Sequence, residues 1–519
     1  MQRDRYDAVL FDMDGVVTDT AAAHAAAWKQ LFDAFLEGRA TSAGIEFRPF
    51  DPNADYRAYV DGKPRYDGTR SFLESRGIEL PFGDPGDSPD QETVCGLGNR
   101  KDGYFNDWLS DNQVRVFPGT LEFIAALRAA GVRVAIFSAS RNMNKVLISA
   151  GVETLFDAQV DGRTMSRLGL PGKPDPAMLE LAATELGLTA DRCVIVEDAI
   201  AGVQAGKRGT FAFVIGIDRA GYADALREHG ADLVVDDLSE CQIDAAGNVQ
   251  LKRVGHLGSI WSHKDALEPV FRERRSAILL DYDGTLTPIV ADYRKALLAE
   301  SMRNTLEKLS QQNTVAVISG RDLADVRQLV GLDTVFYSGS HGFELAGPDD
   351  WQYVQDQAAS YISDLDRAEQ QLGVALATIP GHAVERKRFS IAVHYRQVDA
   401  VRVVDVERAV NSVLDDTPRL HKGLGKKVIE LKPALQWDKG RAVELLLQTL
   451  GMTGNDSIAL YIGDDLTDEA VYRVLRKPNI SIVISDDDRV TSADYALDDC
   501  DDVQQFLNWL ANTTEGAPT

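Results

Sequence analysis

Cysteine is scarce and unpaired in this chain. Cys95, Cys193, Cys241 and Cys500 are scattered, and no two of them make a CxxC pair. That argues against a disulfide scaffold or a thiolate zinc site and fits a reducing compartment. Long apolar runs are missing too: none reaches the roughly 18 residues that a membrane-spanning helix needs. The opening MQRDRYDAVLF lacks the charged-then-apolar order of a secretory signal, so we expect a cytoplasmic protein. Positive charge is in deficit, with 55 Lys and Arg against 80 Asp and Glu and a formal net charge of -25. Such acidity disfavours nonspecific binding to nucleic acid or to an anionic membrane. The acid is spread along the chain, so no acidic tail accounts for it.

What is present is one piece of chemistry, twice. LFDMDGVVTDT carries Asp12 and Asp14, and LLDYDGTLTPI carries Asp281 and Asp283. Each is an apolar run ending in Asp-x-Asp-Gly, which reads as a buried parallel strand delivering two carboxylates to the mouth of a sheet. Phosphoryl transfer through an aspartyl phosphate is one of the few reactions that need such a pair there.

A chain of 519 residues suggests about two to four domains. Strand-like runs alternate with helical stretches in two series. The first contains YDAVLF, VRVAIFSAS, RCVIVED and FAFVIGI; the second contains SAILLDYD, TVAVISG, TVFYSG, IALYIGDD and ISIVIS. The pattern predicts an α/β fold of two tandem units, each a parallel sheet flanked by helices. We expect the first over 1–240 with an insert at about 20–105, a linker over 241–272, and the second over 273–515 with an insert at about 341–433. An insert beside the catalytic end of a sheet is placed to act as a cap that excludes water and selects substrate. The two caps enter at different points of the chain order, which argues against recent duplication of a whole unit.

A phosphate beside carboxylates needs cations. Mg²⁺ prefers one or two carboxylates with phosphate and water, and a fixed Lys with hydroxyl or backbone donors must hold the other oxygens. The second unit supplies Ser319 and Arg321 after TVAVI, Lys439 in WDKGRAVELLL, and Asp464, Asp465 and Asp468 after IALYIG. The first supplies Ser138 and Ser140 after VRVAIF, Lys173 in GKPDPAM, and Glu197 with Asp198 after RCVIV.

At these residues both units resemble the haloacid dehalogenase superfamily, whose fold is a capped Rossmann-like sheet. The resemblance covers nearly the whole chain outside the linker. It implies that Asp12 and Asp281 are nucleophiles and that Asp14 and Asp283 are general acid/base residues. It implies Mg²⁺ held by Asp12, the Asp14 carbonyl, Glu197 and Asp198 in the first unit, and by Asp281, the Asp283 carbonyl and Asp464 in the second. Asp465 and Asp468 are then supporting groups.

More narrowly, ISGR, GSHGFE, VERKRFSIAVHYR, KKVIELKPALQWDKG and YIGDDLTDE resemble trehalose-6-phosphate phosphatases. This implies that trehalose 6-phosphate is the substrate and that Glu385, Arg396, Lys427 and Glu430 are cap residues gripping sugar hydroxyls. FDMDGVVTDT followed by His24 and Trp28 resembles β-phosphoglucomutases, with Thr20 at the hinge. In GKPRYDG and NRKDGYF that likeness implies Arg65 as a phosphate-gripping cap arginine and Lys101 as a cap lysine, with β-glucose 1-phosphate as substrate. The chain departs from that pattern at Arg141, where a lysine is usual, and in a longer cap containing FRPFDPNADYRAYVD.

Each residue also has an uninvolved reading. An Asp-Gly after an apolar run is commonly only a turn, His24 a helix-surface residue, Arg65 and Lys101 solvated charges, and Arg321 a partner of Asp325 on the next helix turn. Two other functions stand beside a bifunctional sugar-phosphate enzyme. One is a phosphatase whose first unit is a silent regulatory module. The other is a carboxylate-pair glycosidase, which has no need of Lys173, Lys439 or the clustered acids.

Overall fold

The computed structural model describes every residue except 45, 53, 220, 245, 291–294, 426, 436, 485–486 and 516–519. The chain folds as two compact units, Met1–Leu251 and Lys252–Thr519.

In the first unit, strands β1 (Ala8–Asp12), β2 (Arg133–Phe137), β3 (Ala158–Val160), β4 (Cys193–Glu197), β5 (Phe213–Ile217) and β6 (Leu233–Val235) form a sheet in the order β3-β2-β1-β4-β5-β6. All its pairings are parallel. β1 sits at the centre because it is apolar on both faces. Val9 and Phe11 join one core cluster and Ala8 and Leu10 the other, as the two-residue period of a strand requires. The cap is helical, with Ala21–Ala43, Arg65–Ser75 and Val94–Asp111 as its main helices. It closes on its own aromatic cluster around Trp28, Phe32, Phe50 and Phe72. The chain enters and leaves the cap side by side: Thr18 bridges Val116, and the Asp19 N–H donates to the Arg115 carbonyl at 2.9 Å.

In the second unit, β9 (Arg275–Leu280), β10 (Thr314–Ile318), β11 (Phe336–Gly339), β18 (Ser457–Gly463), β19 (Ile480–Ile484) and β20 (Tyr495–Leu497) form the parallel part of an eight-stranded sheet. Its order is β13-β12-β11-β10-β9-β18-β19-β20, with β12 (Glu344–Ala346) and β13 (Gln352–Val354) antiparallel at one edge. β9 is again central, with Ile278 and Leu280 on one face and Ala277 and Leu279 on the other. The cap is a four-stranded antiparallel sheet, β14 (Ala383–Arg386), β15 (Ile391–His394), β17 (Val428–Pro433) and β16 (Leu420–Gly425), with helices Ile362–Ala375 and Val403–Asp416. The chain returns from the cap at Trp437, whose Nε1 donates to the Gly342 carbonyl at 2.9 Å.

Two stretches differ from expectation. Residues 344–354, read as the start of the second insert, belong to the main sheet as β12 and β13. Their apolar residues Leu345 and Ala346 are buried against the core, which an exposed loop would not allow. Residues 241–272 are folded onto the units on either side. Cys241–Ile243 (β7) and Val249–Leu251 (β8) form a hairpin that receives the N-terminal ammonium at the Val249 carbonyl, 2.5 Å away. The rest joins the second unit: Lys252 donates to the Ser492 and Ala493 carbonyls at 3.2 and 3.1 Å, and helix Lys264–Glu273 buries Phe271.

Candidate active sites

The two Asp-x-Asp-Gly strings make the same local shape. After β1 and after β9 the chain turns so that the Gly15 N–H reaches the Thr18 carbonyl (2.9 Å) and the Gly284 N–H reaches that of Thr287 (2.7 Å). Both glycines have positive φ, +80° and +90°, where a side chain is strained. A Cβ on Gly15 would stand 1.8 Å from Asp198 Oδ2, and one on Gly284 2.3 Å from the Asp464 carboxylate. Glycine therefore does more than turn the chain here. It lets an acid from the neighbouring strand (β4 or β18) close on the Asp pair.

In the first unit, Lys173 Nζ contacts Asp12 Oδ1 at 2.5 Å and also Glu197 Oε1, all three side chains being buried. Two carboxylates hold the Lys173 ammonium protonated and raise its pKa. Burial, together with Glu197 and Asp14, pushes the Asp12 carboxyl well above the usual range despite Lys173. Asp14 is held by Thr20 Oγ1, by Ser138 Oγ at 3.3 Å and by His24 Nε2 at 3.4 Å. Burial raises its carboxyl, but His24, Thr20 and Lys101 outweigh burial and leave it below its ordinary value. Lys101 Nζ lies 2.7 Å from His24 Nδ1. The ammonium can only donate, so Nδ1 accepts and the imidazole N–H faces Asp14. Burial pushes the Lys101 ammonium down to about 8. Arg65 is engaged by Asp102 at 2.8 Å, and the same Asp102 oxygen accepts from Asn142 Nδ2 at 2.7 Å, tying cap to sheet.

In the second unit, Lys439 opens helix Lys439–Thr449, whose N-cap Asp438 accepts the Arg441 N–H at 2.9 Å. A cation at a helix N-terminus opposes the helix dipole. Here two buried carboxylates offset that, Asp281 at 2.6 Å and Asp468 at 2.7 Å. Asp468 also accepts from the Tyr461 hydroxyl (2.6 Å) and from the N–H groups of Asp464 and Asp465 (both 2.9 Å). Burial opposes its charge, yet Lys439, Tyr461 and these amides hold its carboxyl below the ordinary value. Asp283 receives the guanidinium fork of Arg321, Nε to Oδ2 at 2.7 Å and Nη2 to Oδ1 at 2.6 Å. Asp283 is thus a close ion-pair partner of Arg321, so a simple pairing with Asp325 does not describe its side chain. Ser319 Oγ accepts the Arg321 N–H at 3.1 Å.

Both sites have the donor set a divalent cation takes. One oxygen each of Asp12, Glu197 and Asp198 lies within 4.8 Å of the others, and so do those of Asp281, Asp464 and Asp468. The Asp198 carboxyl, like those of Asp12 and Asp281, is pushed well above the carboxylate range by burial and neighbouring acids. More negative charge is packed here than one lysine neutralises, and a hard cation would supply the remainder. Asp468 has its acceptors filled by protein donors, so Asp281 and Asp464 are the better ligands in the second cluster.

The sequence-selected residues converge, with one exception. Asp12, Asp14, His24, Arg65, Lys101, Ser138, Lys173 and Asp198 line one cleft, with Glu197 buried beneath it. Asp281, Asp283, Ser319, Arg321, Lys439, Asp464, Glu385, Arg396 and Glu430 line the other. Lys427 does not. It is exposed at the turn between β16 and β17 with φ +64°, because a tight hairpin points its turn residue outward. Sequence reasoning missed Lys387, a buried cleft residue 3.1 Å from Glu430. It lies one residue past β14, with its N–H on the Ser390 carbonyl at 2.9 Å, and its spacing of two from Glu385 was the available signal. It also missed His341, Asp102 and Asn142.

Comparison with known proteins matches haloacid dehalogenase-like hydrolases over residues 6–210 and trehalose-phosphatases over 279–501. Over 236 residues the chain is 50% identical to a β-phosphoglucomutase of Mycobacterium bovis, covering 45% of this chain and 90% of that protein. Over 342 residues it is 40% identical to a trehalose-phosphate phosphatase of Mycobacterium bovis, covering 65% of this chain and 86% of that protein. The chain belongs to the haloacid dehalogenase-like hydrolases. Its first unit is β-phosphoglucomutase-like and its second is a trehalose-phosphatase unit. A longer protein of Mycobacterium tuberculosis, named an uncharacterized glycosyl hydrolase, is 38% identical over 517 residues. The match takes in 98% of this haloacid dehalogenase-like chain but 38% of that relative. No helix among the described residues is long and apolar enough to cross a membrane.

Proposed function

We propose that the second site hydrolyses trehalose 6-phosphate to trehalose and phosphate. Asp281 attacks phosphorus while Asp283 gives its proton to the departing sugar oxygen. Asp283 then takes a proton from water, which attacks the aspartyl phosphate. A Mg²⁺ ion bound by Asp281, the Asp283 carbonyl and Asp464 would neutralise phosphate charge, and Lys439 holds a phosphate oxygen beside it. The observation carrying the reading is Lys439 at 2.6 Å from Asp281, in the cleft that Glu385, Arg396 and Glu430 line. A disaccharide offers many hydroxyls and little apolar surface, and buried carboxylates and cations that lose such partners discriminate strongly. The test is phosphate release from trehalose 6-phosphate by the full chain with Mg²⁺ and by Asp281→Asn. Release by the variant at the parent rate would refute the covalent route.

For the first site we infer interconversion of β-glucose 1-phosphate and glucose 6-phosphate. Asp12 carries the phosphoryl group, Asp14 moves protons at either sugar oxygen, and Arg65 grips the far phosphate. A second reading, plain sugar phosphatase, is favoured by Asp102, whose carboxylate already occupies Arg65 and repels a second phosphate. A coupled glucose 6-phosphate assay started with β-glucose 1-phosphate and a trace of bisphosphate separates them. Formation of glucose 6-phosphate supports the mutase, and inorganic phosphate alone supports the phosphatase.

A further inference from the structure

Of the chain's eight histidines, His341, His382 and His394 line the second cleft, and His341 is held there at a cost. Ser340 and His341 both adopt positive φ, 49° and 56°. Consecutive non-glycine residues in that region are strained and persist only where the surroundings over-determine them. The surroundings here are the phosphate-side loop. The Ser340 N–H donates to the Arg321 carbonyl at 2.7 Å and the His341 N–H to that of Ser319 at 3.1 Å. The imidazole lies over Gly320, where a Cβ would come within 2.6 Å of the ring. The one glycine between Ser319 and Arg321 is thus the residue that makes room for the histidine.

From this position the ring crosses to the cap. His341 Nε2 stands 2.8 and 2.7 Å from the two oxygens of Glu430 on β17. Glu430 also receives Lys387 at 3.1 Å and Lys432 at 2.8 Å, and all four side chains are nearly buried. Burial opposes the Glu430 charge, but His341, Lys432 and Lys387 hold its carboxyl well below the usual range. Two lysines already neutralise the carboxylate, so charge is not what the histidine adds. Both lysines belong to the cap, whereas His341 follows β11 of the main sheet and is hydrogen-bonded through its backbone to the loop of Ser319 and Arg321. Burial, with Lys432 and Lys387 adding to it, pushes the imidazole down to about 4. At working pH it is a neutral N–H donor, and a third cation is avoided.

We propose that His341 is a positioning residue: it sets the cap carboxylate Glu430 in register with the phosphate-transfer groups and so carries selection for a polyhydroxylated leaving group. The inference rests on reading the second site as a sugar-phosphate phosphatase. Its effect falls on substrates whose hydroxyls reach Glu430 and spares those that stop at the phosphate.

The test uses the full chain with Mg²⁺, measuring kcat and KM for trehalose 6-phosphate and for p-nitrophenyl phosphate. His341→Ala lowers kcat/KM for trehalose 6-phosphate by about 10- to 100-fold, the loss that corresponds to one hydrogen bond to a charged group, and for the aryl ester by less than about threefold. His341→Gln, whose amide nitrogen can reach the imidazole Nε2 position, recovers most of the loss. In a double-mutant cycle, adding His341→Ala to Glu430→Gln costs little more than Glu430→Gln alone. Equal loss on both substrates, no loss on either, or full additivity with Glu430→Gln overturns the proposal. Where the alanine variant does not fold, the glutamine variant and Glu430→Gln still decide: Glu430→Gln that spares trehalose 6-phosphate overturns it. Parent protein that cleaves only the aryl ester refutes the reading of the site, and the inference falls with it.

Discussion

Replacing Lys439 by Met keeps an unbranched side chain, one atom shorter, and removes the ammonium with its charge and its donors. Lys439 is 3% exposed, Asp281 5% and Asp468 0%, and the ammonium lies 2.6 and 2.7 Å from the two carboxylates. The variant leaves both acids buried without their cation. Breaking a buried ion pair from one side costs about 3–5 kcal/mol, against about 5–15 kcal/mol for a whole domain. The sign of the pH dependence follows. In the parent, the lowered Asp468 carboxyl contributes stability that is present above the unfolded carboxylate pKa and is lost as pH falls through its folded value. Without Lys439 both folded pKa values rise, so the deficit is largest at neutral pH and shrinks on acidification as the acids take up protons. Urea titration at pH 7.5 and pH 5.5, read by peptide-resolved hydrogen exchange so that β9 and β18 report the second unit alone, measures it. A variant within about 1 kcal/mol of the parent at pH 7.5, or a gap that widens at pH 5.5, would refute the reasoning.

Gly284→Ala should abolish phosphate release while the first site keeps its activity, since the new Cβ would stand 2.3 Å from Asp464 at a φ that alanine adopts only with strain; phosphate release at more than a tenth of the parent rate would count against it. Mg²⁺ should raise the melting temperature of the second unit, and Asp464→Asn should remove most of that rise, as read by calorimetry. At the first site kcat/KM should fall above pH about 8, where Lys101 loses its proton, and Lys101→Met should lack that limb. Because the folded Lys101 pKa lies below its unfolded value, the stability of the first unit should rise slightly with pH between about 8 and 10.5, a slope also absent from Lys101→Met.

The paired strands, the lysines and the acid clusters were legible because each sits in a short string whose neighbours fix its place: an apolar run to its end, or a helix start just after it. Contacts between distant strings were not. Arg321 was weighed against Asp325 four residues on, but its close ion-pair partner is Asp283, which the β9–β10 pairing brings beside it. Strands of three residues such as β12 and β13 are too short to show a period, so their stretch read as insert. Lys427 was chosen on the family likeness alone, and only its place in the turn between β16 and β17 shows that it is exposed. Asp102 and His341 act through partners that no local pattern names.

The places where the two caps join their sheets differ in what they touch. In the first unit the two crossings lie side by side at the bridge between Thr18–Asp19 and Arg115–Val116, and Thr20, just beyond it, donates to Asp14. Thr20 stands at the N-cap of the first cap helix, so that helix and Asp14 are directly joined. In the second unit the chain returns at Trp437, braced on Gly342, with Lys439 two residues on and His341 beside the brace. The first cap is thus tied to Asp14 itself, and the second to the chain beside Lys439 and His341.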